Sequence, residues 1–258
     1  MSSIHSTAII HPEAELAEDI CIGPYSVIGA GVSIGAGTEI GSHVVIDGPS
    51  KIGKDCKFFS FASIGQVPQD LKFHGERSEL VIGDNNVFRE FVTFHRGTEG
   101  GGKKTLIGND NFFMAYTHVA HDCHIGNSII MGNAATLAGH VTVEDFSNIG
   151  AFSGIHQFCR VGKFGFIGGY SVITKDVLPY SKTVGNRAHC YGMNIVGLRR
   201  KGLDPETIRL IKHCFRLLLQ SKLNTTQAVE IMEKELPAPA EVTYLIRFIK
   251  ESRRGIIK

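Results

Sequence analysis

Apolar residues recur at every sixth position along the first two thirds of the chain. From Ile4 the register runs through Ile10, Leu16, Ile22, Ile28, Ile34, Ile40, Ile46, Ile52, Phe58 and Ile64. It resumes at Ile82, Phe88 and Phe94, and again from Ile107 through Phe113, Val119, Ile125, Met131, Leu137, Val143, Ile149, Ile155, Val161, Ile167 and Ile173. All 26 positions are apolar in a chain that is 43% hydrophobic, so composition alone does not produce the period. Glycine follows 13 of them, which predicts a tight corner with unusual dihedrals after each short strand. Four residues after the register position the side chain is often small or β-branched, as at Ser26, Val32, Thr38, Ala62, Ala135 and Val141. One strand and one turn per six residues predicts a hexapeptide parallel β-helix, an all-β solenoid with three faces and roughly eight or nine coils of 18 residues.

Two stretches break the rhythm, near 66–81 and 97–106, and insertions in a solenoid tend to gather on its functional face. The second contains Gly100-Gly101-Gly102-Lys103-Lys104, which lacks the spacing and the following helix of a phosphate-binding loop and is expected to be a mobile hairpin. After Ile173 the period changes to that of helices. Asp204-Pro205 reads as an N-cap with proline at the first helical position, and Ile208, Ile211, Phe215 and Leu218 follow at helical spacing. Further helices are expected from Asn224-Thr225 and after Pro239. The expected division is a β-helix over 1–190 and a C-terminal α-helical domain over 191–258.

Charge and cysteines narrow the function. A formal charge of +2 with 20% charged residues leaves no excess for general nucleic-acid binding. No run approaches the roughly 18 apolar residues of a membrane span, so a cytoplasmic protein without membrane insertion is expected. The six cysteines form no Cys-x-x-Cys pair, and Cys56, Cys123 and Cys159 fall on the small-residue positions of the repeat, which assigns them to the core.

Residues 18 apart share a face in successive coils, about 4.8 Å apart along the axis. His121, His140 and His156 follow the aligned register residues Val119, Leu137 and Ile155, and His95 joins their column if seven residues of the second insertion loop out. His118 is expected at the adjoining corner. Four imidazoles in register point to chemistry of two kinds. They would either ligate zinc or supply a general base with substrate-binding neighbours. The interior of such a coil is filled by side chains, so a deep site is expected between solenoids packed side by side, most simply in a cyclic homotrimer.

Six segments carry a resemblance: Gln69-Asp70-Leu71-Lys72, Thr93-Phe94-His95-Arg96-Gly97-Thr98, His118-Val119-Ala120-His121-Asp122-Cys123, Leu137-Ala138-Gly139-His140-Val141, Ile155-His156-Gln157-Phe158 and Met193 to Arg200. Together they resemble the UDP-N-acetylglucosamine O-acyltransferase family, which opens lipid A synthesis. The resemblance spans essentially the whole chain. It implies a left-handed coil, and transfer of a 3-hydroxyacyl group from acyl carrier protein to the sugar 3-hydroxyl without a covalent intermediate, metal or cofactor. It implies His121 as general base, Asp122 as its orienting partner and the Gly139 N–H as oxyanion donor. Asp70, Lys72, His95, His118, His140, His156 and Gln157 match substrate-contacting positions, Gly169 the end of the acyl pocket, and Asn194 and Arg200 positions near the nucleotide. Val196 and Arg187 depart from the family pattern, which has an acidic residue and a histidine there. An acidic carrier protein implies a basic docking surface, assigned to Arg199, Arg200, Lys201, Arg253 and Arg254. Two alternatives stay open: an N-acyltransferase of the same pathway, disfavoured by the short lead before Ile4, and a zinc-dependent hydratase on the same fold.

Overall fold

A computed structural model describes residues 2–237 and 239–258. Short strands wind into three sheets of eleven, nine and eight strands, parallel and each paired with the one three ahead in sequence until a closing hairpin ends the first sheet. The first face starts at Ser3–Ile4, the second at Ile9–Ile10 and the third at Glu15–Leu16. The fold is a left-handed parallel β-helix followed by α-helices. Its core is the register itself: Ile28, Ile46, Ile64, Phe94, Val119, Leu137, Ile155 and Ile173 stack down the second face, all buried. Phe58, Phe88 and Phe113 stack down the first, with ring centroids 4.6 and 5.0 Å apart. Cys56, Cys123 and Cys159 are buried among these residues.

The glycines have a different task from the one expected of them. Left-handed φ falls three residues after the register position, and mostly on other residues, among them His43, Asp55, Phe61, Asp122, His140 and Phe158. The glycine directly after the register residue is needed because coils approach closely there. A Cβ on Gly35 would lie 2.6 Å from the backbone carbon of Gly53 in the next coil, so the stacking distance itself excludes a side chain.

The irregular segments lie at 67–78 and 96–103, and between them Glu79–Ile82 pairs residue for residue with Lys104–Ile107. Because these insertions are looped out, Phe94 stands directly beside Val119 and Ile64 beside Phe94.

The solenoid ends in a hairpin, Ser181–Gly185 against Ala188–Met193, which extends the first sheet. Four helices follow: α1 (Ile195–Arg200), α2 (Pro205–Leu219), α3 (Thr225–Glu235) and α4 (Ala240–Lys250). Asp204 caps α2 through Thr207 N–H, and Asn224 with Gln227 forms a capping box on α3. The hairpin and α1 carry no hexad or long helical rhythm, and the sequence reading did not separate them. Leu178 and Tyr180 at the solenoid end share a core with Leu198, Ile211, Phe215 and Leu245. Arg160 stacks on Phe248 at 4.2 Å, and the Tyr244 hydroxyl donates to Glu144. Among the described residues no helix is long and apolar enough to cross a membrane.

Candidate active site

The corner between the second and third faces gathers the histidines. Thr93–His95, His118–Val119, Thr136–Leu137 and Gly154–Ile155 are successive rungs of the second sheet, and His121, His140 and His156 occupy the turns that follow them. His118 belongs to the strand rather than the corner. Its ring meets that of His95 edge-on at 5.0 Å, and its Nδ1 lies 2.7 Å from Thr93 Oγ1. Burial lowers the pKa of both, that of His95 to about 4, with the neighbouring imidazoles pushing the same way. His95 Nδ1 is buried with no hydrogen-bond partner.

His121 and Asp122 form a dyad, Nδ1 to Oδ2 at 2.7 Å, with the Asp122 side chain inaccessible and that of His121 13% exposed. Burial alone would raise the Asp122 pKa, but hydrogen bonds from His121 and Thr98 override it and hold the carboxyl below its ordinary value. An ionised Asp122 requires the proton of His121 on Nδ1 and leaves the lone pair on Nε2. That ring lies flat against Gly139: a Cβ there would sit 2.5 Å from His121 Cε1 and 2.8 Å from Nε2. The Gly139 N–H makes no hydrogen bond to another described residue. His140 crosses the His121 ring edge-on at 5.2 Å, stacks on Phe158 at 4.4 Å, and has its pKa lowered by burial against the opposing pull of Asp122.

Both inserted segments reach this corner. Asp70, Lys72, His74 and Glu76 from the first and Thr98 to Gly100 from the second enclose a groove of about 610 Å³ whose far wall is His140 and Phe158. The glycine-rich segment is not the free hairpin expected. Thr98 donates its N–H to Asp122 Oδ1 at 2.7 Å and its hydroxyl to Oδ2 at 2.6 Å, and Gly101 packs so tightly that a Cβ would lie 2.0 Å from Asp122 Cγ. Thr105 Oγ1 accepts from Asp122 N–H at 2.8 Å. Thr98 and Thr105 were missed from sequence. Thr98 ends the segment Thr93 to Thr98 that carries the resemblance, and its reach across 24 residues to Asp122 has no local signal.

The remaining candidates stand elsewhere on the prism. Gly169 is at the corner between the first and second faces, following Phe166–Ile167. Asn194 and Arg200 line a groove of about 670 Å³ at the third corner, with Ser128, Phe146, Phe164 and Lys201. The Asn194 amide caps α1, accepting from Gly197 N–H and donating to Phe164 O. Gln157 is exposed beside His156. One chain therefore brings together Asp70, Lys72, His95, His118, His121, Asp122, Gly139, His140, His156 and Gln157, and keeps Gly169, Asn194 and Arg200 on other edges.

The profile of a UDP N-acetylglucosamine O-acyltransferase family, its domain 2, matches residues 176–257. Acyl-[acyl-carrier-protein]--UDP-N-acetylglucosamine O-acyltransferases of Thermodesulfovibrio yellowstonii and Myxococcus xanthus are each 48% identical over the full length of both chains. The chain belongs to the UDP-N-acetylglucosamine O-acyltransferase family. Among solved structures, the LpxA of Acinetobacter baumannii is 46% identical, with a TM-score of 0.96 over 99% of both chains. The Bacteroides fragilis LpxA, a UDP-N-acetylglucosamine acyltransferase, is 43% identical with a TM-score of 0.97 over 99% of this chain and all of that one.

Within this acyltransferase, one ligand atom from each of His121, Asp122 and His140 lies within 4.8 Å of the others, a spacing a cation could bridge. The donors are already committed to one another, however. His121 Nδ1 and both Asp122 oxygens are engaged in the hydrogen bonds above, leaving two imidazole rings as uncommitted ligands, fewer than the three protein ligands of a catalytic zinc site.

Proposed function

We propose that this chain transfers a 3-hydroxyacyl group from acyl carrier protein to the 3-hydroxyl of UDP-N-acetylglucosamine, with His121 as general base. The acyltransferase activity follows from membership of the family. The observation that carries the mechanism is the dyad packed on a bare glycine: Asp122 fixes Nδ1–H of His121, and its Nε2 lies over Gly139. Nε2 takes the proton of the sugar hydroxyl as that oxygen attacks the thioester carbonyl. The Gly139 N–H receives the oxyanion. Collapse of the tetrahedral intermediate expels the carrier thiolate, which recovers the proton from His121. General-base catalysis of this kind contributes on the order of 10²–10⁴-fold, and one oxyanion donor on the order of 10²–10³-fold.

The neighbouring groups hold the substrates. His95 and His118, kept neutral by burial, offer ring nitrogens as hydrogen-bond partners, His140, Asp70 and Lys72 line the groove, and His156 and Gln157 stand exposed in the turn after Gly154–Ile155. Arg200 and Asn194 serve the nucleotide and Gly169 the acyl end. These three stand on other prism edges than His121, so a complete site needs edges from neighbouring copies, which supports a homotrimer with clefts between subunits. We place this reaction in the cytoplasm. The β-helix of 1–190 supplies the base and the helical domain of 191–258 the nucleotide contacts.

The test is to incubate the enzyme with UDP-N-acetylglucosamine and a ladder of 3-hydroxyacyl carrier proteins and weigh the products. An O-acylated sugar nucleotide that forms with the unaltered enzyme, and at a rate at least about 10²-fold lower with His121→Ala, supports the assignment. An unchanged rate in that variant refutes His121 as the base.

A further inference from the structure

The C-terminal tail closes back on the histidine corner. Beyond α4, Asp176 ties it down along its length. Ser252 Oγ donates to Asp176 Oδ2 at 2.6 Å, Asp176 N–H donates to Gly255 O at 2.9 Å, and Ile257 N–H donates to Asp176 O at 2.9 Å. The Asp176 side chain also accepts from Arg160 N–H, and Asp176 itself is buried. Ile257 enters the end of the solenoid core. Arg254 is thus held between two anchored points and is half-buried, unlike an arginine on a free docking surface. Its Nη2 reaches Thr174 O and His156 Nδ1, each at 3.2 Å.

The second contact constrains the histidine. A guanidinium has no lone pair to offer, so it can only donate, and the nitrogen that accepts from it carries no proton. The same Nδ1 lies 3.2 Å from Gln157 O, an acceptor that would require the opposite arrangement, Nδ1–H donating. The two partners cannot both be served. A guanidinium fixed beside Nδ1, able only to donate, decides between them.

We propose that Arg254 is a positioning residue for the acyl-transfer site: it keeps the ring proton of His156 on Nε2 rather than Nδ1, so that the exposed edge of the ring presents an N–H donor to the substrates. The inference rests on the acyl-transfer reading for its consequence, but not for its geometry. Without Arg254, Nδ1–H turns to Gln157 O and Nε2 becomes an acceptor, reversing what the ring offers. The contact joins residues 98 apart, so the tail couples the end of the chain to the site.

Two measurements on the full-length enzyme test this. Histidine-selective ¹⁵N labelling, with His156 assigned from His156→Ala, should show an unprotonated Nδ1 in the unaltered protein and in Arg254→Lys, and a protonated Nδ1 in Arg254→Ala. In acyl transfer, Arg254→Ala should lower kcat/KM about tenfold, and should have no further effect in a His156→Ala background. A protonated Nδ1 in the unaltered enzyme, or an Arg254→Ala effect that persists undiminished without His156, overturns the proposal. If Arg254→Ala fails to fold, Arg254→Met, which keeps an unbranched side chain but has no N–H to donate, replaces it in both measurements. An enzyme that shows the expected spectrum yet transfers no acyl group would sink the acyl-transfer reading and leave the tautomer assignment standing.

Discussion

Thr98 grips Asp122 through two hydrogen bonds, N–H to Oδ1 at 2.7 Å and hydroxyl to Oδ2 at 2.6 Å, across 24 residues of sequence. The second oxygen is the one that binds His121 Nδ1, so the threonine sets the orientation of the proposed base through its partner. Thr98→Val keeps the backbone bond and removes the hydroxyl. We expect kcat to fall about tenfold with KM unchanged, and Thr98→Ser to restore it, since a hydrogen bond to a charged group contributes about 1.5–3 kcal/mol. Steady-state kinetics of the two variants decide, and equal rates in Val and Ser would remove the hydroxyl from the mechanism.

Gly139 has no room for a methyl group. A Cβ at 2.5 Å from His121 Cε1 must displace the imidazole, while the Gly139 N–H remains in place. Gly139→Ala is therefore expected to cost about 10²-fold in kcat, the scale of an ångström of misplacement, with the overall fold retained. A crystal structure of the variant should show the His121 ring moved. Full activity would mean that Nε2 over this glycine is not where the proton is taken.

Acid should loosen the fold through His95 before it reaches the carboxylates. In the folded chain the His95 pKa is lowered from 6.5 to about 4, chiefly by burial, so below pH 6.5 the unfolded chain binds the proton more readily. Its contribution is fully present above pH 6.5 and is lost progressively as the pH falls toward 4, by about 3 kcal/mol per chain. His118, lowered in the same direction, adds to the slope. Denaturant unfolding from pH 7 to pH 4 should show this decline, and His95→Gln should flatten it. A slope unaffected by that substitution would contradict the neutral, buried state of the ring.

Phe88 is the middle ring of a buried stack, with Phe58 at 4.6 Å and Phe113 at 5.0 Å, and meets Phe94 edge-on. Removing it opens a void that the adjoining coils, fixed by their hydrogen bonds, cannot close. Phe88→Ala is expected to destabilise by about 3–5 kcal/mol, measured by chemical denaturation. A loss below about 1 kcal/mol would show that the coils relax around the gap.

How much of this could be read from the sequence depends on the range of each interaction. The repeat was legible because every sixth residue meets the same interior, and Val119, Leu137 and Ile155 aligned their histidines by simple counting. The resemblance named His121, Asp122 and Gly139 as a set, and their geometry brings them into contact. The glycines were misread because a pattern cannot tell an unusual dihedral from a close approach, and left-handed φ went instead to residues such as Asp122 and His140. The threonine grip and the arginine of the tail join segments 24 and 98 residues apart, set by insertions and by the helical return, and no period records them. The hairpin of 181–193 was missed because it is built once and repeats nothing.

The stacking of His118, Thr136, Gly154 and Val172 as successive rungs has a consequence for how such an enzyme can change. Height along the prism comes in fixed storeys of about 4.8 Å, because each added coil must restore the same backbone pairing. Residues on one edge, such as His121, and on another, such as Gly169, can be moved relative to one another only by whole storeys. Evolution could therefore resize the gap between them in steps of 18 residues, while finer adjustment would fall to single side chains at the ends.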